Sequence, residues 1–225
     1  MNKKSFLVAL FFIAIFAVSC KQQPESDKAK VEDAKPVAEQ PKTSASFKVD
    51  PAKSTVTWIG SKPTGTHNGT IGIKKGLILV NDDNIVGGEI VLDMNDVKVV
   101  DLTGDDAAKL AGHLKSDDFF KSEKYPEAVF ALTGHQPYTA PADESEKALL
   151  ENATHLLTGN LTILDTSKSI TFPAKISLEN NVLTAQALFN IDRTDWGISY
   201  HAAESFGDKI ISSQVTVGFN IVAQP

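Results

Sequence analysis

Five histidines, one arginine and one cysteine carry the most specific chemistry available to this chain of 225 residues. His67, His113, His135, His155 and His201 are scattered, and no two lie within five positions of each other. No local pair therefore has the spacing of a metal motif. His201 and Glu204 would share a face only on a helix, and a solvated loop pair is the expected reading. His113 has Asp106 and Asp117 near it in sequence, the pieces of an acid–base pair. A packing or capping role is expected there, and a hydrolase built on His113 is the least favoured function. His155 has the parity of Leu157, Leu161 and Ile163, so it is expected to point inward, as a core histidine or as a polar contact for a ligand head. Arg193 is the one arginine among 22 basic residues. Asp192, Asp195 and Trp196 surround it, and it reads as an ion-paired strand-end group that fixes a turn or as a donor to a ligand head. The single cysteine, Cys20, excludes internal disulfides and cysteine-based zinc sites. The glycines from Gly69 to Gly76 have neither the phosphate-loop nor the dinucleotide order, and nothing matches a nucleophile elbow. No catalytic residue, cofactor or metal is expected.

Charge narrows the partners further. Asp and Glu number 28 against 22 Lys and Arg, a net charge of -6. Phosphate neutralisation needs a basic stripe, so a nucleic-acid binder is excluded. Apolar residues make up 42 % of the chain, enough to bury a core.

The elements that must position these residues fall into three stretches. Residues 1–19 read as a signal peptide: Lys3 and Lys4 are followed by a 13-residue apolar run from Phe6 to Val18 and by small residues. The run is too short to span a bilayer stably. Ala17-Val18-Ser19-Cys20 resembles a lipobox, which makes Cys20 the expected acylation site and membrane anchor. Residues 20–46 read as a lipidated, disordered tether. From Lys21 to Ser46 there is no aromatic residue, and five Lys, five acids and three Pro occur, so ordering entropy is not offset by burial.

Residues 47–225 form the folded domain. Period-2 alternation predicts half-buried strands. Val215, Val217, Phe219, Ile221 and Ala223 share one face, as do Leu183, Ala185, Ala187, Phe189 and Ile191. Leu157, Leu161 and Ile163 make a third face, and Phe172, Ala174, Ile176 and Leu178 a fourth. Phe130 and Leu132 lie in a shorter run, and Val56 and Trp58 in the first. Turns are expected at Asn81–Asn84, Asp165–Lys168 and Asn180–Asn181. One helix is predicted over Asp105–Leu114, capped by Thr103 or Asp105. About eight strands and one mid-chain helix make an antiparallel all-β domain, for which a sandwich and a barrel fit equally.

Three motifs in order carry a resemblance. Asp106, then His113 to Phe120, then Tyr125, Pro126 and Phe130 resemble the central motif of the YceI-like family. Gly159 to Ile163 resembles its G-x-L-T-I strand, and Asp192 to Ile198 its R-x-D-F-G-I turn. Asp50 to Trp58, followed by Gly69, matches the family's start. Trp196 stands where the family commonly has phenylalanine, Ile71 where it often has an aromatic, and residues 141–151 read as an acidic insertion. The resemblance implies a lipocalin-like eight-stranded antiparallel barrel in the bacterial periplasm. It implies an apolar cavity for a polyisoprenoid, an isoprenoid quinone or another amphiphile, and it carries no catalytic residues. Trp58, Phe130, Leu161, Ile163, Phe172, Phe189 and Phe219 have inward parity and become the pocket residues, with His155 and Arg193 as polar contacts. Taken singly, each of the apolar ones also reads as core. The expected protein is an envelope lipoprotein that binds or carries such a lipid, held to a membrane through Cys20. The outer membrane is favoured because Lys21, not aspartate, follows the cysteine. A homodimer stands beside the monomer as an alternative. The competing function is an envelope-stress or interaction module with a filled barrel that docks a protein partner.

Overall fold

The computed structural model describes residues 24–37, 43–82, 84–142, 148–202 and 209–225. The alternating runs become strands in chain order. After β1 (Asp27–Lys28), β2 (Lys30–Asp33) and β3 (Ala45–Val49) come β4 (Thr55–Lys62), β5 (Gly65–Asn81) and β6 (Asn84–Val99). The helix α1 (Gly104–Lys115) precedes β7 (Glu127–Pro137), β8 (His155–Ile163), β9 (Thr166–Glu179), β10 (Val182–Asp192) and β11 (Gln214–Gln224). From β4 to β11 each strand pairs antiparallel with the next, and β11 pairs back onto β4. This closes an eight-stranded barrel, and the sandwich alternative falls. Strand β3 pairs with β5 and β11 beyond the end of β4, so β3 and β4 make one stave broken at residues 50–54.

Turn chemistry sets the hairpins. Asn180 and Asn181 both take left-handed φ, 51° and 60°, in the two-residue link between β9 and β10. That geometry follows the right-handed strand twist, and asparagine tolerates it. The β8–β9 turn lies earlier than expected. Leu164 (φ 57°) and Asp165 form it, and Thr166 already pairs with Ile163. The β-branched threonine takes the ladder position.

The helix extends one residue beyond its expected range at each end. Thr103 stands at the N-cap without a side-chain capping bond. Asp105 and Asp106 in the first turn and His113 and Lys115 in the last complement the helix dipole.

The tether expectation is corrected over Asp27–Asp33. Strands β9 and β10 pair with each other only where Lys175–Glu179 faces Val182–Gln186. Beyond that they part, and the N-terminal segment fills the seam: Asp27 and Lys28 pair parallel with Phe189 and Asn190, and Lys30–Asp33 antiparallel with Lys168–Thr171. Ala29 is buried, and Val31 packs against the core. The two open strand edges offer backbone hydrogen bonds that a polar composition does not forbid. The signal peptide, Cys20 and the tether residues 21–23 and 38–42 lie outside the described residues.

Candidate functional site

The barrel interior is not filled. A chamber of about 490 Å³ occupies the half nearest α1. Its wall comes from β4 (Val56, Trp58), β6 (Leu92, Met94), β7 and β8 (Ala128, Leu161, Ile163) and β11 (Val215, Val217). Helix α1 closes one side with Asp106, Leu110, His113 and Leu114, which fall at i, i+4, i+7 and i+8 on one face. A smaller apolar space of about 110 Å³ lies farther along the barrel. Phe130, Phe172, Phe189 and Phe219 border it.

The lining of the large chamber is mostly apolar but includes charged and imidazole side chains, Lys62 and His67 of the β4–β5 hairpin and Asp106, Lys109 and His113 of α1. His67 Nδ1 lies 2.8 Å from Asp101 Oδ2, and His113 Nε2 lies 3.0 Å from Asp118 Oδ2. Burial works to raise the Asp101 carboxyl. The Asn68 amide and His67 outweigh it, so the group is held below its ordinary value. Asp118, and not Asp106 or Asp117, is the carboxylate that reaches His113. The His113 ring meets Phe119 and Tyr200 edge-on, each at 5.1 Å. Among the described residues, no group of three or more His, Cys, Asp or Glu has the geometry of a metal site.

Seven of the nine expected ligand contacts are brought together as apolar wall. Trp58 and Ile163 line the large chamber, Leu161 borders both spaces, and Phe130, Phe172, Phe189 and Phe219 border the smaller one. His155 is a correction. It sits at the start of β8 outside both linings, with its ring 5.9 Å from that of His135. Parity set its face, but a residue at the strand end lies beyond the cavity. Burial, and then the neighbouring His135, depress its pKa.

Arg193 borders the large chamber yet has little to give a ligand. Its guanidinium donates to four backbone carbonyls: Nε to Ser212, Nη1 to Ile198, and Nη2 to Tyr200 and Ile211. The group is buried and straps the β10–β11 connection to the barrel end. Burial works against its charge, and nearby Asp192 supports it. The turn-fixing role holds, with carbonyls as partners and not the ion pair expected. Burial works to raise the Asp192 carboxyl, but donors from Thr194, Ser213 and Gln214 hold it below its ordinary value. Trp196 is fully buried, and its Nε1 donates to the Leu161 carbonyl at 2.9 Å. Glu204, the suggested partner of His201, and Cys20 lie outside the described residues.

Sequence reasoning missed the polar lining residues and the wall residues Val56, Leu92, Met94 and Val217. Val56 and Val217 had the inward parity. The helix stripe was legible from its spacing. Nothing local brings Lys62 and His67 beside α1.

The YceI-like domain matches residues 47–223. Two solved structures share the fold. BcnA of Burkholderia cenocepacia is 19% identical, covers 77% of this chain and 98% of its own, and has a TM-score of 0.59. A polyisoprenoid binding domain from Saccharophagus degradans, implicated in plant cell wall breakdown, is 17% identical, with 79% and 97% covered and a TM-score of 0.55. The comparison with curated proteins finds no match.

Proposed function

The chain belongs to the YceI-like family, and from that membership and the shape of its interior we propose that it binds a single-chain amphiphile inside the barrel. The apolar tail lies in the chamber and the head beside its polar lining residues Lys62, His67 and Lys109. The observation that carries this reading is the chamber itself, about 490 Å³ with a mostly apolar wall and a few polar groups in its lining. Ligand pockets run from ~300 to ~1,000 Å³ and are lined in this way. The Saccharophagus degradans relative is a polyisoprenoid binding domain, and a prenyl or quinone-like lipid is the foremost candidate for this chain. A filled barrel that only docks a protein partner is disfavoured by the same volume.

Burying each methylene is worth about 0.8 kcal/mol against water. Against a bilayer most of that gain disappears, because the bilayer is itself apolar. Such a protein carries or shields a lipid and does not trap it. The reading is of a binder and not an enzyme: His113 has a carboxylate partner, but its ring is packed between two aromatic rings.

The lipobox-like segment supports a seat in the bacterial envelope, with Cys20 as the anchor. Cys20 precedes the seam residue Asp27 by seven positions. Seven extended residues reach at most ~25 Å. Acylation at Cys20 would therefore hold the barrel close to a membrane, near the supply of its ligand.

The test is an organic extract of the purified, folded protein read by mass spectrometry. A lipid present at about one per chain is expected. An empty extract, with no amphiphile taken up on titration, contradicts the reading.

A further inference from the structure

We infer that the N-terminal strap formed by β1 and β2 is a side door: its release opens the barrel wall onto the ligand space while the eight staves stay paired. This rests on the amphiphile-binding reading above and adds the ligand's way in.

Strands β9 and β10 pair only over 175–179 and 182–186. Farther along, the strap lies between them. Val31 stands opposite Ile170 of β9, and Asp27 beside Phe189 of β10. Ile170 and Phe189 both line the smaller apolar space, so that space lies directly behind the strap. It shares Val56, Leu92, Leu161 and Val217 with the large chamber, so the two adjoin. With the strap out, its two flanks stand about two strand spacings apart, ~10 Å. A single hydrocarbon chain passes such a gap.

The strap is held more weakly than the staves it joins. Asp27 and Lys28 alone pair with β10, whereas β10 pairs with β11 from Leu183 to Asp192. Ala29 is buried and Val31 packs on the core, so two small side chains supply the apolar anchorage. Ser26 Oγ and Ser169 Oγ are buried without a hydrogen-bond partner among the described residues, which leaves desolvated hydroxyls where the strap docks. The remaining ties include polar ones near its ends. The Asp27 carboxylate accepts from the Leu149 and Leu150 amides, and Asn160 exchanges two hydrogen bonds with the Lys35 backbone. An element held in this way opens before the ladders around it. The strap also precedes residues 47–223, the stretch that matches the YceI-like domain, so its release leaves that domain's own strands paired. It lies on the segment that follows Cys20, and the anchor proposed above would keep the door near the surface from which a lipid is drawn.

The experiment locks the door and times entry. Glu32 stands directly opposite Ser169, and opposed residues of an antiparallel pair lie within reach of a disulfide. The full chain carrying Cys20→Ser, Glu32→Cys and Ser169→Cys is closed with oxidised glutathione and reopened with dithiothreitol. Stopped-flow mixing with cis-parinaric acid, a single-chain fatty acid that fluoresces on leaving water, reads the association rate. The oxidised form is expected to bind about tenfold or more slowly than the Cys20→Ser parent, with reduction restoring the parent's rate. Ala29→Pro, which removes a strap hydrogen bond, should speed entry several-fold. Equal rates in the oxidised and reduced forms overturn the door and leave the binding reading standing, with entry elsewhere, as past α1. A cysteine pair that does not close overturns the strap register on which the door depends. Failure of the folded parent to bind the probe at all removes the binding reading itself.

Discussion

Arg193 shows how one side chain can hold a site without touching its ligand. Four of its N–H groups end on carbonyls from two stretches of the β10–β11 connection. Lysine keeps the charge but not the planar fork, so Arg193→Lys leaves buried carbonyls unpaired. It is expected to cost about 3 kcal/mol, ~10 °C in melting temperature. Unchanged melting with lost lipid would instead make it a head-group ligand. The two tryptophans invite a paired test. Trp58 Nε1 is buried with no hydrogen-bond partner, whereas Trp196 Nε1 donates to Leu161. Removing an orphan donor is nearly free, while removing a satisfied one leaves a carbonyl unpaired. Trp196→Phe should therefore destabilise by about 2 kcal/mol more than Trp58→Phe, as chemical denaturation would read. Equal losses would contradict the hydrogen-bond assignment. His155 titrates below its ordinary value because burial and His135 disfavour its charge. As pH falls through ~6.5 the unfolded chain takes up a proton that the folded one resists, so stability is lost toward acid. His155→Gln should flatten the stability profile below that pH, and an identical slope in the variant would sink the assignment.

At the scale of elements, the strand faces were legible because a period of two needs only the order of residues. The helix was legible from its cap signals. The N-terminal strap was not, although Ala29 and Val31 alternate with Lys28, Lys30 and Glu32. What holds it is the pair of edges left where β9 and β10 part, and those edges exist only once the barrel has formed. The arginine's partners were hidden for the same reason, since a backbone carbonyl leaves no mark in a sequence. Two of the three orphan buried polar atoms among the described residues, Ser26 Oγ and Ser169 Oγ, belong to the strap and to the β9 run it covers. The strap is an added strand, less well satisfied than the staves, and its amides should exchange before those of the barrel. Ala29 N–H donates to Asn190 O at 2.9 Å. Ala29→Pro removes that donor and is expected to cost about 1–2 kcal/mol. Hydrogen exchange should show protection lost over Lys30–Asp33 while β4–β11 keep theirs. Unchanged protection there would contradict the pairing.

For the whole molecule, closure of the sheet removes its edges except where β9 and β10 part, and leaves an interior that side chains can fill or a ligand can enter. Here the two halves differ: phenylalanines leave only a small apolar space in one, and the larger chamber occupies the other. The sequence could place apolar residues inward, but it could not say how much room they leave, because that depends on how eight staves and α1 meet. The direct test of a tail lying in that chamber uses Trp58 as a reporter in its wall. A single-chain fatty acid carrying bromine at mid-chain, which quenches indoles on contact, is titrated into the unaltered protein and into Trp58→Phe. Saturable quenching at one probe per chain is expected, largely lost in Trp58→Phe, where only the walled-off Trp196 emits. Quenching that is equal in both proteins, or that never saturates, would put the tail outside the barrel.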